Sequence, residues 1–211
     1  MELMQRRREL MAMQSELPSA YRKVEYLQSS GTQYFWTDVN VQDGLTVESV
    51  QTIASGNDSY LFGGAANADN ERSNFNGFYV LRLQGAYPVS YYNGGPNLAY
   101  NTVYRIKTTH TDGTITAYVN DALYYTGTRT GTTPETGAKC VCFGARAMTG
   151  AALTGHLYKG KVYSVKVSKG NELLANYIPC VRKSDSKPGM YDTVSKTFYT
   201  NAGTGEFSIP T

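Results

Sequence analysis

Thr102-Val-Tyr-Arg-Ile-Lys-Thr-Thr-His-Thr-Asp-Gly-Thr-Ile-Thr-Ala-Tyr-Val-Asn-Asp-Ala-Leu-Tyr-Tyr-Thr-Gly127 is the stretch whose pattern decides the fold class. Val103 to Thr111 has the composition of a strand. Asp112-Gly113 then supplies the strongest short signal for a tight hairpin turn. From Thr114 to Val119 the period is 2, with Ile115, Ala117 and Val119 on one face and Thr114, Thr116 and Tyr118 on the other. Asn120-Asp121 forms a second tight turn, because both residues tolerate left-handed backbone. Ala122 to Thr126 returns. The stretch is a three-strand meander with one buried face.

The same period extends outward in both directions. Val24 and Tyr26 alternate with Lys23 and Glu25. Phe35, Thr37 and Val39 oppose Tyr34, Trp36 and Asp38, and Tyr79, Leu81 and Leu83 oppose Phe78, Val80 and Arg82. Cys140 to Gly144 is a short strand. In Lys161 to Ser168, Tyr163, Val165 and Val167 share a face against Val162, Ser164 and Lys166. Lys169-Gly170-Asn171 turns the chain into Glu172 to Val181, and short strands follow around Met190-Tyr191 and Thr197 to Tyr199. About twelve short strands separated by turns call for a sandwich or a barrel.

Composition agrees. The chain has 211 residues, enough for one domain with an appendage. Charged residues are 18%, below the usual proportion of about 25%, and the aromatics are 7 Phe, 1 Trp and 18 Tyr. This excludes a helix bundle or coiled coil, which would be dense in Ala, Glu, Lys and Leu. A hydrophobic fraction of 41% with a net charge of +3 excludes a disordered chain. No run of about 18 apolar residues exists, so no membrane insertion is expected. The net charge is too small to point to nucleic acid. Basic residues gather between 156 and 187, where Lys159, Lys161, Lys166, Lys169, Arg182, Lys183 and Lys187 outnumber Glu172 and Asp185. Such charge discourages edge-to-edge strand pairing.

Residues 1–16 differ from the rest. They contain four of the six methionines and no Gly, Pro or β-branched residue. Leu3, Leu10 and Leu17 are spaced by seven, as are Met4 and Met11, which predicts a short helical arm with a narrow apolar stripe. A helix of about four turns is not stable alone in water. Leu3, Met4, Arg7, Leu10, Met11 and Leu17 are therefore the candidate anchoring and oligomerisation residues. Leu17-Pro18 ends the arm and divides the chain into residues 1–16 and a β domain, 17–211. Three arginines interrupt the arm, so it is no secretory signal. Cys140, Cys142 and Cys180 are an odd number without a disulfide framework, and are expected as small buried hydrophobes.

Catalytic chemistry is not legible. A glycosidase needs two carboxyls roughly 5–10 Å apart, and no acidic pair shares a strand face; Glu48 stands alone in its strand. His110 and His156 accompany no nucleophile elbow and are expected as satisfied surface residues, and no phosphate-cradling Gly-rich loop precedes a helix. The oxygen-rich groups for calcium are Asn67, Asp69, Asn70 and Glu71, then Asp38, Asn40 and Asp43, both without EF-hand spacing. No cofactor is expected, with calcium the one metal worth weighing. Metal-free sugar binding needs an aromatic plate beside amide or hydroxyl groups. Trp36, with Tyr34 on its own face, and Tyr91-Tyr92-Asn93 at a Gly-rich turn are the candidates.

Residues 102–127 resemble the central meander of laminin-G-like, concanavalin-A-like jelly-roll domains, with Asp121 where that family usually has Gly. Phe143-Gly-Ala-Arg146, followed by Gly155-His-Leu-Tyr-Lys-Gly-Lys-Val-Tyr-Ser-Val-Lys-Val167, resembles the family's closing strand pair. Leu17-Pro-Ser-Ala-Tyr-Arg-Lys-Val-Glu-Tyr-Leu-Gln-Ser-Ser-Gly-Thr-Gln-Tyr34 resembles the opening of such domains in phage and prophage proteins of gut bacteria. Tyr177-Ile-Pro-Cys-Val-Arg-Lys183, Gly189-Met-Tyr-Asp192 and Phe198-Tyr-Thr-Asn-Ala-Gly-Thr-Gly-Glu-Phe207 resemble their ending. The resemblance implies a two-sheet antiparallel jelly-roll sandwich. It also implies a non-enzymatic virion structural protein, of head-fibre, decoration or tail-tip type, made in the host cytoplasm and displayed on the virion surface. Its partners would be other virion proteins and sister subunits in a homotrimer, with host or mucus glycans as ligand. A stand-alone carbohydrate-binding adhesion module is the alternative.

Overall fold

The computed structural model describes residues 17–52, 54, 58–64, 80–84, 87–88, 98–111, 114–128, 138–145, 150–152 and 154–210. The helical arm expected over 1–16 lies outside them. Among the described residues the chain forms fifteen strands and one 3₁₀ turn, Thr154–His156. The larger sheet contains β1 (Tyr21–Lys23), β2 (Leu27–Ser30), β4 (Leu45–Thr52), β8 (Val103–Thr111), β9 (Thr114–Val119), β10 (Ala122–Thr128), β12 (Lys159–Lys169), β13 (Glu172–Arg182), β14 (Pro188–Asp192) and β15 (Thr197–Thr200). Its main path runs β10-β9-β8-β4-β12-β13-β14-β15. The smaller sheet contains β3 (Phe35–Asn40), β5 (Asp58–Gly63), β6 (Val80–Gln84), β7 (Tyr87–Pro88) and β11 (Lys139–Cys142), in the order β3-β11-β5-β6-β7. Neighbouring strands pair antiparallel in both sheets.

The sheets close on one another through an apolar core. Val47, Ile106, Val119, Val162, Val165, Val167, Ala175 and Tyr177 come from the larger sheet, and Phe35, Val39, Phe62, Cys140 and Cys142 from the smaller. Phe35 touches Phe143, Tyr177 and Tyr199, with ring centroids 6.1, 5.6 and 5.2 Å away. The result is an all-β, two-sheet antiparallel sandwich, the architecture in which two half-apolar sheets bury their inner faces. The three cysteines are buried, as expected of small core residues.

The meander forms as its sequence predicts. Thr111 pairs with Thr114, leaving two residues for the first connection. At the second turn Asn120 and Asp121 have φ of 49° and 68°, the doubly left-handed conformation of a type I′ hairpin. Asn120 fastens the turn twice: its amide donates to the Arg105 carbonyl at 2.8 Å and its Oδ1 accepts from the Arg105 amide at 3.0 Å.

Three expectations are corrected. The segment 21–26 is not one strand: β1 pairs with β13, β2 pairs with β12, and Val24 between them donates its amide to the Pro179 carbonyl at 3.0 Å. Strand β12 does not keep period 2. Its pairing with β4 shifts between Val162 and Ser164, so Val162 and Val165 both reach the core, while Tyr163 lies half-exposed, away from the aliphatic residues expected beside it. This is a bulge, one extra residue that turns the following side chains over. Third, His110 is not a surface residue. It is buried, with Nδ1 3.4 Å from Asp43. The strand predicted around Tyr79 is found as β6, and the facing of its side chains lies outside the described residues.

The two ends of the β domain interlock. β12 pairs with β13 over Val165–Lys169; beyond that the two part, and β2 and β1 occupy the edges they leave. The last described segment then crosses the first. Gln28 and Ser208 exchange two backbone hydrogen bonds at 2.8 and 3.0 Å, Ala202 donates to the Tyr34 carbonyl at 2.8 Å, and Thr204 donates to the Thr32 carbonyl at 3.1 Å.

Candidate functional site

A strand's outward residues line up with those of its neighbours wherever the register is unbroken. Two such rows cross the outer face of the larger sheet. The first is Leu123, Tyr118, Lys107, Glu48 and Lys166, one residue each from β10, β9, β8, β4 and β12. The second, two residues along β9, β8, β4 and β12 and three along β10, whose register shifts after Leu123, is Thr126, Thr116, Thr109, Thr46 and Ser168, all hydroxyl-bearing.

Between β8 and β10 these rows floor a cleft of about 490 Å³ lined by Lys107, Thr109, Thr116, Tyr118 and Asp121. Tyr118 is half-buried, so part of its ring presents an apolar face. Lys107 Nζ lies 3.2 Å from Glu48 Oε1, and Arg105 pairs with Asp121 at the type I′ turn. Thr46 and Thr109 join their hydroxyls at 2.9 Å. Asp121 in the cleft and Glu48 beside it therefore each have a cation in contact and keep further lone pairs for hydroxyl donors. The hydroxyls can donate or accept. One aromatic plate bordered by fixed polar groups is the chemistry that holds a sugar: the ring packs on C–H faces while hydroxyls find donors and acceptors.

The candidates read from the sequence lie elsewhere. Trp36 is half-buried on β3, an edge strand of the smaller sheet, with Tyr34 edge-on at 6.4 Å and 83°. It does not meet Tyr118, which belongs to the other sheet. Tyr91, Tyr92 and Asn93 lie outside the described residues, as do Leu3, Met4, Arg7, Leu10 and Met11. Leu17 is described and half-buried, just ahead of β1. The cleft residues all lie in the meander, between Lys107 and Asp121, and were missed because its outward face was not weighed as a surface. The available signal was the outward set Thr114, Thr116 and Tyr118 in the meander.

The calcium candidates Asp38 and Asp43 are engaged: Asp38 Oδ2 accepts from the Tyr199 hydroxyl at 2.5 Å, and Asp43 faces His110. Among the described residues no group of three or more His, Cys, Asp or Glu stands together around a point that could hold a metal ion. Asn67, Asp69, Asn70 and Glu71 lie outside them. Burial pushes the Cys142 thiol up, and that of Cys180 to about 12, so neither carries a thiolate at neutral pH. No helix among the described residues is long and apolar enough to cross a membrane.

No protein-family model matches the chain. No curated protein matches it in sequence. Twelve chains of known structure match its fold. One is a Bacteroides ovatus protein provisionally described as carbohydrate-binding: it superimposes with a TM-score of 0.57 at 15% identity, over 90% of this chain and 60% of its own. The present chain thus spans less than two thirds of that protein. At this identity the likeness establishes the sandwich fold alone.

Proposed function

We propose that the chain is a non-catalytic carbohydrate-binding module whose glycan sits in the cleft beside Tyr118. The carrying observation is the cleft itself: a half-exposed tyrosine bordered by Lys107, Thr109, Thr116 and Asp121 on the outer face of the larger sheet. The fold neighbour's description as carbohydrate-binding supports this choice. Within the sandwich class, the jelly-roll arrangement of laminin-G-like domains is the reading we favour, on the sequence of the 102–127 meander. No cofactor takes part. A glycan array probed with the wild-type protein and with Tyr118→Ala tests the site. The variant should keep its melting temperature and lose roughly tenfold or more in affinity, the effect of removing a central aromatic anchor. Absence of any glycan bound by the wild type, or full retention of binding by Tyr118→Ala, refutes it.

A second reading concerns where the module is displayed. The segments 17–34 and 177–207 resemble the opening and ending of such domains in phage and prophage proteins of gut bacteria. This supports a surface protein of the particle, held by residues 1–16 to other virion proteins and sister copies as a homotrimer. Deleting residues 1–16 should leave a folded sandwich with unchanged glycan binding that no longer joins the particle. Incorporation of the truncated protein would defeat the anchoring role.

A further inference from the structure

We infer that the ligand is an extended linear glycan lying across the strands from Tyr118 on β9 to Lys166 on β12, and that the site accepts an interior stretch of such a chain. The inference rests on the carbohydrate reading of the cleft and adds the ligand's shape and direction.

Three observations carry it. First, the row from Tyr118 through Lys107 and Glu48 to Lys166 is continuous: the pairings of β9 with β8 and of β8 with β4 show no register shift, and the shift between β12 and β4 falls at Val162 and Ser164, outside the row. Three inter-strand steps of about 4.8 Å make it roughly 14 Å long, more than one sugar ring occupies. Second, the hydroxyl row Thr116, Thr109, Thr46 and Ser168 runs alongside over the same strands, so polar partners recur at each step. A ligand that uses every step must repeat its own hydroxyls along a straight line. Equatorially linked pyranose chains do so, whereas axially linked chains coil away from a flat floor. Third, among the described residues neither end is walled. Leu123, beyond Tyr118, is 63% exposed on the edge strand β10, and Lys166 is exposed at the other end. A site that grips a chain terminus encloses it, and this one lets the chain run through.

Titration calorimetry with cello-, xylo-, manno- and chito-oligosaccharide ladders, each from monosaccharide to hexasaccharide, tests the inference. At least one ladder should show no binding of the monosaccharide, a rise of about tenfold or more between disaccharide and tetrasaccharide, and a plateau beyond. The double variant Lys166→Ala/Ser168→Ala, exposed or half-exposed and away from the core, should weaken the tetrasaccharide severalfold and leave the disaccharide unchanged, while Tyr118→Ala weakens both. Affinity independent of chain length, or a double variant that binds the tetrasaccharide as the wild type does, overturns the inference. So does array binding confined to branched or terminal epitopes with no ladder bound, an outcome that leaves the carbohydrate reading standing. Only a protein that binds no glycan in any format brings down both.

Discussion

Tyr158 illustrates how the tyrosine excess is used. Its ring is buried against Phe143, at 5.8 Å, and its hydroxyl donates to the Thr52 carbonyl. Burial raises its pKa, and does the same for Tyr177. Burial, followed by the hydrogen bond to Asp38, pushes Tyr199 up to about 12. In the unfolded chain a tyrosine ionises near pH 10. The folded state therefore holds these protons where the unfolded state releases them. Their contribution to stability is complete below about pH 10 and is lost as pH rises through the folded values. An alkaline titration read by tyrosinate absorbance should show one set of tyrosines ionising near pH 10 and a second set only as the circular dichroism of the sheets collapses. A single reversible step near pH 10, with the fold intact, would contradict the burial.

At the level of the strand, Gly160 is where the sheet is least forgiving. It sits on β12 with φ of 145°, and a Cβ there would stand 2.2 Å from the Thr52 carbonyl oxygen that Tyr158 uses. Gly160→Ala should cost more than about 2 kcal/mol, measured as a lowered midpoint in urea. Gly170→Ala, also at positive φ but with open space around it, should cost less. The strands themselves were legible to different degrees. The meander declared itself because its partners are adjacent and its turns need only two residues. Strand β12 misled because one inserted residue at Tyr163 reverses the facing of all that follow, and alternation cannot show an insertion. The 21–26 segment misled because only Tyr21–Lys23 forms a strand, and the next strand begins at Leu27 on a different partner. Trp36 could be placed on an outward face by its alternation with Phe35 and Thr37, but nothing local told which sheet that face belonged to. The row beside the cleft was legible only in part: Lys107 and Tyr118 face each other across the predicted hairpin, yet Glu48 and Lys166 join them only once the strand order is known.

Taken as a single body, the β domain is held shut by its extremities. The segment after β15 contributes Phe207 to the core, 4.6 Å from Phe143, and its backbone bonds to β2 and to the stretch ahead of β3. A chain stopped after residue 200 should lose that aromatic, worth about 3–5 kcal/mol in truncations of buried Phe, together with those hydrogen bonds. Hydrogen exchange should accelerate first at residues 27–34, and a protection pattern there identical to the full chain would show that the closure is ornamental. This closure also has a bearing on time. Ser208 meets Gln28 across a separation of 180 residues, so an early strand of the sandwich finds its partner at the sandwich's far end. Pairings of such reach are slow to form, because a long loop must be ordered before they give any return. During translation β2 therefore waits with an open edge while some 180 residues follow it off the ribosome. Completion of the sandwich waits for Ser208, and the interval before it is when this protein is most exposed to mispairing with its neighbours.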